Sequence, residues 1–205
     1  MIRILSNALA AGLLAWSAPA PAAAEDFSDP TWPCVQRKVE RLSIGLMWPE
    51  PVPDTALEGD LADAVETLGA TLALRRVGED QMRSAIDRFV SAHGASVDLM
   101  GRVFAESFRR LAQRRTRIIG GIADMSLGQA DLAARIDAAR SEFDTISARD
   151  DPDFDRLDTL EEKIDWDERI YTDRQKSITY VCETPVLLEK RLYAIAQMLQ
   201  AAVSG

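Results

Sequence analysis

Histidine is almost missing from this chain of 205 residues, with His93 as the only one, and cysteine occurs only at Cys34 and Cys182. Zinc needs several nitrogen or sulfur ligands, so this shortage excludes the ordinary zinc sites. The two cysteines lie too far apart to form a CxxC redox pair. No Gly-x-Ser-x-Gly, phosphate-binding glycine loop or CxxCH haem attachment occurs. Positive charge is also short: 24 Lys and Arg stand against 33 Asp and Glu, a net charge of −9. Such an acidic chain is a poor match for nucleic acid or for anionic membrane surfaces. Apart from Pro152 and Pro185, every proline precedes Asp54. His93 stands just before Gly94 at an expected helix C-terminus, where a cation is favourable. We therefore expect no catalytic residue, no metal site and no cofactor, and read the chain as a non-enzyme.

Long apolar runs are missing too, except near the start. Arg3, the stretch from Ala8 to Trp16 and the small residues Ala22-Ala23-Ala24 form a secretory signal, expected to be cleaved before Glu25. Its apolar part is too short for an ordinary membrane span, and no other stretch is long enough. The style of this leader indicates a bacterial periplasm. In an oxidising compartment an even pair of cysteines reads as one disulfide, Cys34 to Cys182.

What the chain does have is heptad periodicity. From Val97, steps of four and three give Val97, Phe104, Leu111, Ile118, Met125, Leu132, Ala139 and Ile146 at one position. The alternate position holds Gly101, Phe108, Arg115, Ile122, Gln129, Ile136 and Phe143. A second run starts at Leu157 and continues through Ile164, Tyr171, Ile178, Pro185, Leu192 and Leu199. Its alternate position includes Leu160, Asp167, Arg174, Val181, Leu188 and Ile195. Sustained repeats of this kind keep one stripe facing a partner helix. The phase survives Gly120-Gly121, which predicts one long helix, with that pair or Ser126 as the place for any kink. A short connection at 147–153 makes the two helices antiparallel neighbours. Asp151 before Pro152 reads as the N-cap of the second.

Folding the runs together places Ile146 by Leu157, Leu132 by Tyr171, Ile122 by Val181 and Phe104 by Leu199. Gln129 then meets Arg174 in a polar layer, and Arg115 faces Leu188, a mismatch that needs a path to solvent. Cys182 falls beside Gly121, so the glycine pair is expected to make room for the N-terminal segment to cross.

Residues 25–55 contain Trp32-Pro33, Trp48-Pro49, Pro51 and Pro53. We expect an ordered strap, pinned by Cys34, with its tryptophans packed on the bundle; a partner-binding aromatic patch is the other reading. Residues 56–76 and 79–92 read as two amphipathic helices, punctuated by Gly78 and Gly94. They need an apolar surface, which Val103, Ile119, Val186, Leu187 and Met198 supply. The expected fold is all-α: a helical base of about four helices, with a long protruding antiparallel coiled-coil hairpin of residues 97–146 and 153–203. Residues 1–24 are the leader, 25–55 the strap and 56–205 one helical domain.

Charge is polarised along this object. Arg109, Arg110, Arg114 and Arg117 gather in the base, while Asp150, Asp151, Asp153, Asp155 and Asp158 crowd the tip. The arginines either pair with Glu58, Asp60, Asp63 and Glu66 or form a partner site. The aspartates either favour the helix N-terminus or dock a basic partner. Asp151-Pro-Asp153-Phe-Asp155 resembles the opening of a calcium loop, but Arg156 replaces the glycine that loop needs. The functional expectation is a non-catalytic periplasmic scaffold or adaptor, or an accessory subunit of an envelope complex. Its partner would be a protein of the cell envelope. The alternative is a periplasmic holdase that grips clients with the hairpin, on an architectural likeness to chaperone arms. A second copy of the chain is a further candidate partner, through Leu127, Trp166 and Ile170.

Overall fold

The computed structural model describes residues 29–204. The leader expected at residues 1–24, and the part of the expected strap before Asp29, lie outside the described residues.

Two helices of 51 residues each dominate the fold, and shorter ones precede them. We number the four helices α1 (Gly59–Ala73), α2 (Glu79–His93), α3 (Val97–Ser147) and α4 (Phe154–Ser204). Among the described residues there is no strand, and no helix is long and apolar enough to cross a membrane. The architecture is all-helical, with α3 and α4 packed against each other as an antiparallel hairpin. At 1.5 Å per residue each long helix spans about 75 Å.

The heptad stripes account for the pairing. Phe104, Leu111, Ile122, Leu132, Ile136, Ala139 and Ile146 are buried on α3, facing Leu157, Leu160, Leu188, Leu192, Ile195 and Leu199 on α4. Gly120 and Gly121 do not break α3, because hydrogen bonding on both sides and the seam against α4 outweigh a cost of about 1 kcal/mol per glycine. Pro185 lies inside α4 with its ring buried in the seam, so the helix continues through a residue that donates no hydrogen bond.

The base core gathers residues from all four helices and the strap. Leu72, Met82, Met100, Val103, Phe104, Leu192, Ile195 and Leu199 are almost wholly buried there. Ser96 caps α3, its hydroxyl accepting from the Leu99 amide at 3.2 Å. Gly94 ends α2 at φ +82°, a conformation that L side chains rarely adopt. The Gln81 side chain accepts from the Gly78 amide at the start of α2.

The hairpin has two lateral sides, and each has its own cover. The strap runs along one. Cys34 and Cys182 are bonded, Ser126 donates to the Pro30 carbonyl at 2.6 Å, and Arg115 donates to the Val39 carbonyl at 2.6 Å. Trp48 stacks on Phe104 with ring centroids 5.6 Å apart. Gly101 makes room for that indole, since a Cβ there would stand 3.0 Å from Trp48 Nε1. Among its described residues the strap's one regular element is a 3-10 turn, Ile44–Leu46. Helices α1 and α2 cover the other side, but only at the base. Ser107 donates to the Gly69 carbonyl at 3.1 Å, and Arg191 donates to the carbonyls of Leu72 and Val77 at 2.8 and 3.0 Å. Above Arg117 about thirty residues of α3 project beyond α1, roughly 45 Å of arm.

Several sequence expectations change. The strap does cross near Cys182, yet nothing lies within 4 Å of where a Cβ of Gly120 or Gly121 would be. These glycines make no room for it, because they face the open side. Gln129 does not meet Arg174. Its Nε2 donates to the Tyr171 carbonyl at 3.1 Å, Arg174 is exposed, and Gln129 Oε1 has no partner among the described residues. Arg115 does not reach solvent either, being 3% exposed. It is neutralised in place by Glu189 at 2.7 Å. Leu187, expected to support the base, is 46% exposed, because the α1–α2 turn ends below it.

Candidate functional site: an acidic tip and an arginine groove

The tip is the turn between α3 and α4. Asp153, not Asp151, caps α4. Its Oδ1 accepts from the Arg156 amide at 3.0 Å and its carbonyl accepts from the Leu157 amide at 3.0 Å. Pro152 thus precedes the cap instead of opening the helix, because the residue whose carboxylate reaches the third helical amide takes the cap. Asp150, Asp151, Asp153, Asp155 and Asp158 are all exposed, and none forms an ion pair among the described residues. Just below, Arg156 donates to Glu142 at 2.6 Å and Arg140 to Glu168 at 2.7 Å, tying the two helices together. Five carboxylates in one turn and the start of one helix make a concentrated negative field, with Phe154 68% exposed among them. Among the described residues no group of three or more His, Cys, Asp or Glu converges as metal ligands.

The arginines split into two pairs with different fates. Arg109 holds Glu106 in a fork, at 2.7 and 3.0 Å, and Arg110 bridges Glu106 to Glu66, the latter at 2.9 Å. Burial pushes the Glu106 carboxyl up, but bonds from Arg109 and Arg110 outweigh it and leave the group below its ordinary range. The bond to Glu106 in turn raises Arg109. Of the expected acidic partners only Glu66 takes part. Arg114 and Arg117 are exposed and without an ion pair among the described residues. All four arginines line a groove of about 710 Å³ between α1 and α3, whose floor includes Ala70, Leu74 and Leu111. Tip and groove stand at opposite ends of the arm, so the structure does not bring the two sets together within one chain.

Two features were missed by sequence reasoning. The first is Glu106, which sits three and four residues before Arg109 and Arg110. That spacing is a readable helical pairing signal. The second is a line of exposed apolar side chains on α4. Trp166, Tyr180 and Leu187 are 63, 75 and 46% exposed. They stand fourteen and seven residues apart, so one heptad position carries all three; only Trp166 reads from the sequence as a contact for a partner, and Leu187 reads as support for the base. Burial lowers Arg191 from the usual guanidinium value, since it lies under the α1–α2 turn. No family model, no curated protein and no solved structure matches this chain.

Proposed function

We propose that the chain is a non-catalytic scaffold or adaptor of the bacterial periplasm, or an accessory subunit of an envelope complex, that presents its hairpin arm to another protein. The observation that carries this reading is the arm. Two helices run roughly 45 Å past the base and end in five exposed carboxylates, none in an ion pair among the described residues. A two-helix arm buries little apolar area per residue, so stability does not require it. It supplies reach and a charged end. The leader of residues 1–24 and the oxidised Cys34–Cys182 pair support an oxidising compartment.

The test is affinity purification of the full chain against a variant in which Asp150, Asp151, Asp155 and Asp158 become asparagine. Asp153 is kept because it caps α4. The adaptor reading expects one or two stoichiometric partners with the first chain, lost with the variant at unchanged helicity. Equal recovery of the same partners by both chains contradicts a docking role for the tip.

The exposed Trp166, Tyr180 and Leu187 favour a second reading, a holdase whose arm grips unfolded clients. A holdase suppresses aggregation of unrelated clients and tolerates the asparagine variant. An adaptor does neither.

A further inference from the structure

Arg110, Arg114 and Arg117 follow one another along α3 at intervals of four and three residues, so all three side chains rise from one line of the helix. Like charges at that spacing repel, and the row is a cost in the free chain. Several other cations have a carboxylate on their own helix: Arg83 has Glu79, Lys163 has Asp167 and Lys176 has Asp173. Arg110 has Glu106, and Glu66 across the groove. Arg114 and Arg117 have none. The residues three and four away from them are Arg110, Leu111, Gln113, Ile118, Gly120 and Gly121, besides each other. The row faces the groove between α1 and α3, whose lining holds four arginines and one carboxylate, Glu66. With Glu106 counted as well, two positive charges stay unanswered there. The α1 wall is apolar at its upper end, through Ala70, Ala73 and Leu74, the last 39% exposed. Above Arg117 come Gly120 and Gly121, where nothing stands within 4 Å of a Cβ, so a segment that leaves the groove upward is not obstructed. The exposed Asp124, seven residues past Arg117 on the same line, ends the row above, as Glu106 does below.

We infer that this groove seats an acidic amphipathic helix of a partner protein. Its carboxylates stand on one line against Arg110, Arg114 and Arg117, and its apolar side chains rest on Ala70, Ala73 and Leu74. A helix fits because its own residues repeat the intervals of the row. Arg110 to Arg114 is roughly 6 Å along the axis and Arg114 to Arg117 roughly 4.5 Å. Carboxylates four and three residues apart on a partner helix match both steps. An extended segment returns a side chain to the same face every ~6.8 Å and matches only the first. Each guanidinium offers a carboxylate two parallel donors, and each pair formed also relieves the repulsion within the row. A broad anionic surface matches less well, because Asp63 and Asp60 stand exposed about one and two turns before Thr67 on α1, and Asp124 stands above. A third helix laid into the groove between two others is an established mode of recognition. The inference deepens the adaptor reading and rests on it in taking a protein as the occupant; it gives the base a docking role beside that of the tip.

Fluorescence anisotropy of the full, oxidised chain tests it with two labelled helical peptides of one length and one composition, built from alanine, leucine, glutamine and glutamate. In the first, glutamates recur at four- and three-residue intervals on one line, with leucines beside them. In the second, the same glutamates are spread around the helix. The expected result is saturable binding of the first peptide, about tenfold tighter than of the second and weaker as salt rises. Arg114→Ala with Arg117→Ala weakens it about tenfold, the effect of two exposed ion pairs. Arg174→Ala, at an exposed arginine of the arm, leaves it unchanged. Arg114 and Arg117 are exposed, and circular dichroism checks that the double variant keeps its helices. No binding of the first peptide, equal binding of both, or binding that survives the double variant overturns the inference. Pyrophosphate or phosphatidylglycerol vesicles that bind where neither peptide does overturn it in favour of a phosphate site. Self-association that the double variant abolishes overturns it in favour of a second copy. A chain that binds neither peptide yet recovers stoichiometric partners through its tip carboxylates overturns the inference and leaves the adaptor reading standing. Binding of the first peptide that depends on Arg114 and Arg117, with no partner recovered from cells, supports the groove's chemistry and contradicts the adaptor.

Discussion

Arg115 carries the greatest stake of any single side chain. It sits in the hairpin seam, 3% exposed, held by Glu189 at 2.7 Å and by the Val39 carbonyl at 2.6 Å. It therefore joins α3, α4 and the strap at one point. Arg115→Ala leaves Glu189 and that carbonyl without their partner. The expected loss is about 3 kcal/mol, at the low end for a broken buried pair because Glu189 is partly solvated. Urea unfolding measures it. Asp29 makes a second, local case. The Thr31 hydroxyl and amide donate to its carboxyl, Lys38 adds a charged donor, and the group falls from 3.8 to about 2. A depressed carboxyl contributes above its ordinary value and loses that contribution as pH falls through about 2. NMR titration of Asp29 is expected to show that low midpoint, and Lys38→Ala to move it upward.

At the scale of elements, the glycines of α1 and α3 separate those that packing requires from those it does not. A Cβ on Gly69 would come within 3.2 Å of the Val103 carbonyl oxygen and 2.8 Å of Glu106 Cβ, where α1 crosses α3. Gly120 and Gly121 face open space. Gly120→Ala and Gly121→Ala are each expected to add about 0.5–1 kcal/mol, through helix propensity alone. Gly69→Ala is expected to destabilise by about 1–3 kcal/mol, through overpacking against backbone. Thermal melts of the three variants give the signs. These elements also show what a sequence can tell. Phe104, Leu132 and Leu192 announced the seam because a heptad stripe has no other use, and the antiparallel register followed from a short turn. The strap carries no periodicity, so nothing in its residues pointed Val39 at Arg115, 76 residues away. The cap moved from Asp151 to Asp153 because several aspartates compete in one turn and only geometry chooses. At the candidate site the exposed tip was legible, since turn carboxylates have nowhere to bury. The division of the arginines was not. It depends on how closely α1 brings Glu66 to Arg110, which no local spacing encodes.

The whole molecule is a base, an arm and one covalent tie. The disulfide joins positions 148 residues apart and fixes the strap against the middle of the hairpin. In the chain-entropy view, closing so long a loop contributes up to about 4–5 kcal/mol. Reduction is expected to lower the unfolding midpoint and free the strap, while the circular dichroism of the folded chain stays helical, because α3 and α4 hold each other through their own seam. Matched urea melts with and without reductant check both halves of that statement.

The central claim is that the arm and base bind other proteins. In-cell photocrosslinking with probes at Asp151 and Arg114, read by mass spectrometry, tests it most directly. The account predicts one or two discrete adducts, the one from the Arg114 probe lying in an acidic helix of its partner. A broad smear of unrelated envelope proteins contradicts the adaptor and favours the holdase. No adduct at either position contradicts both.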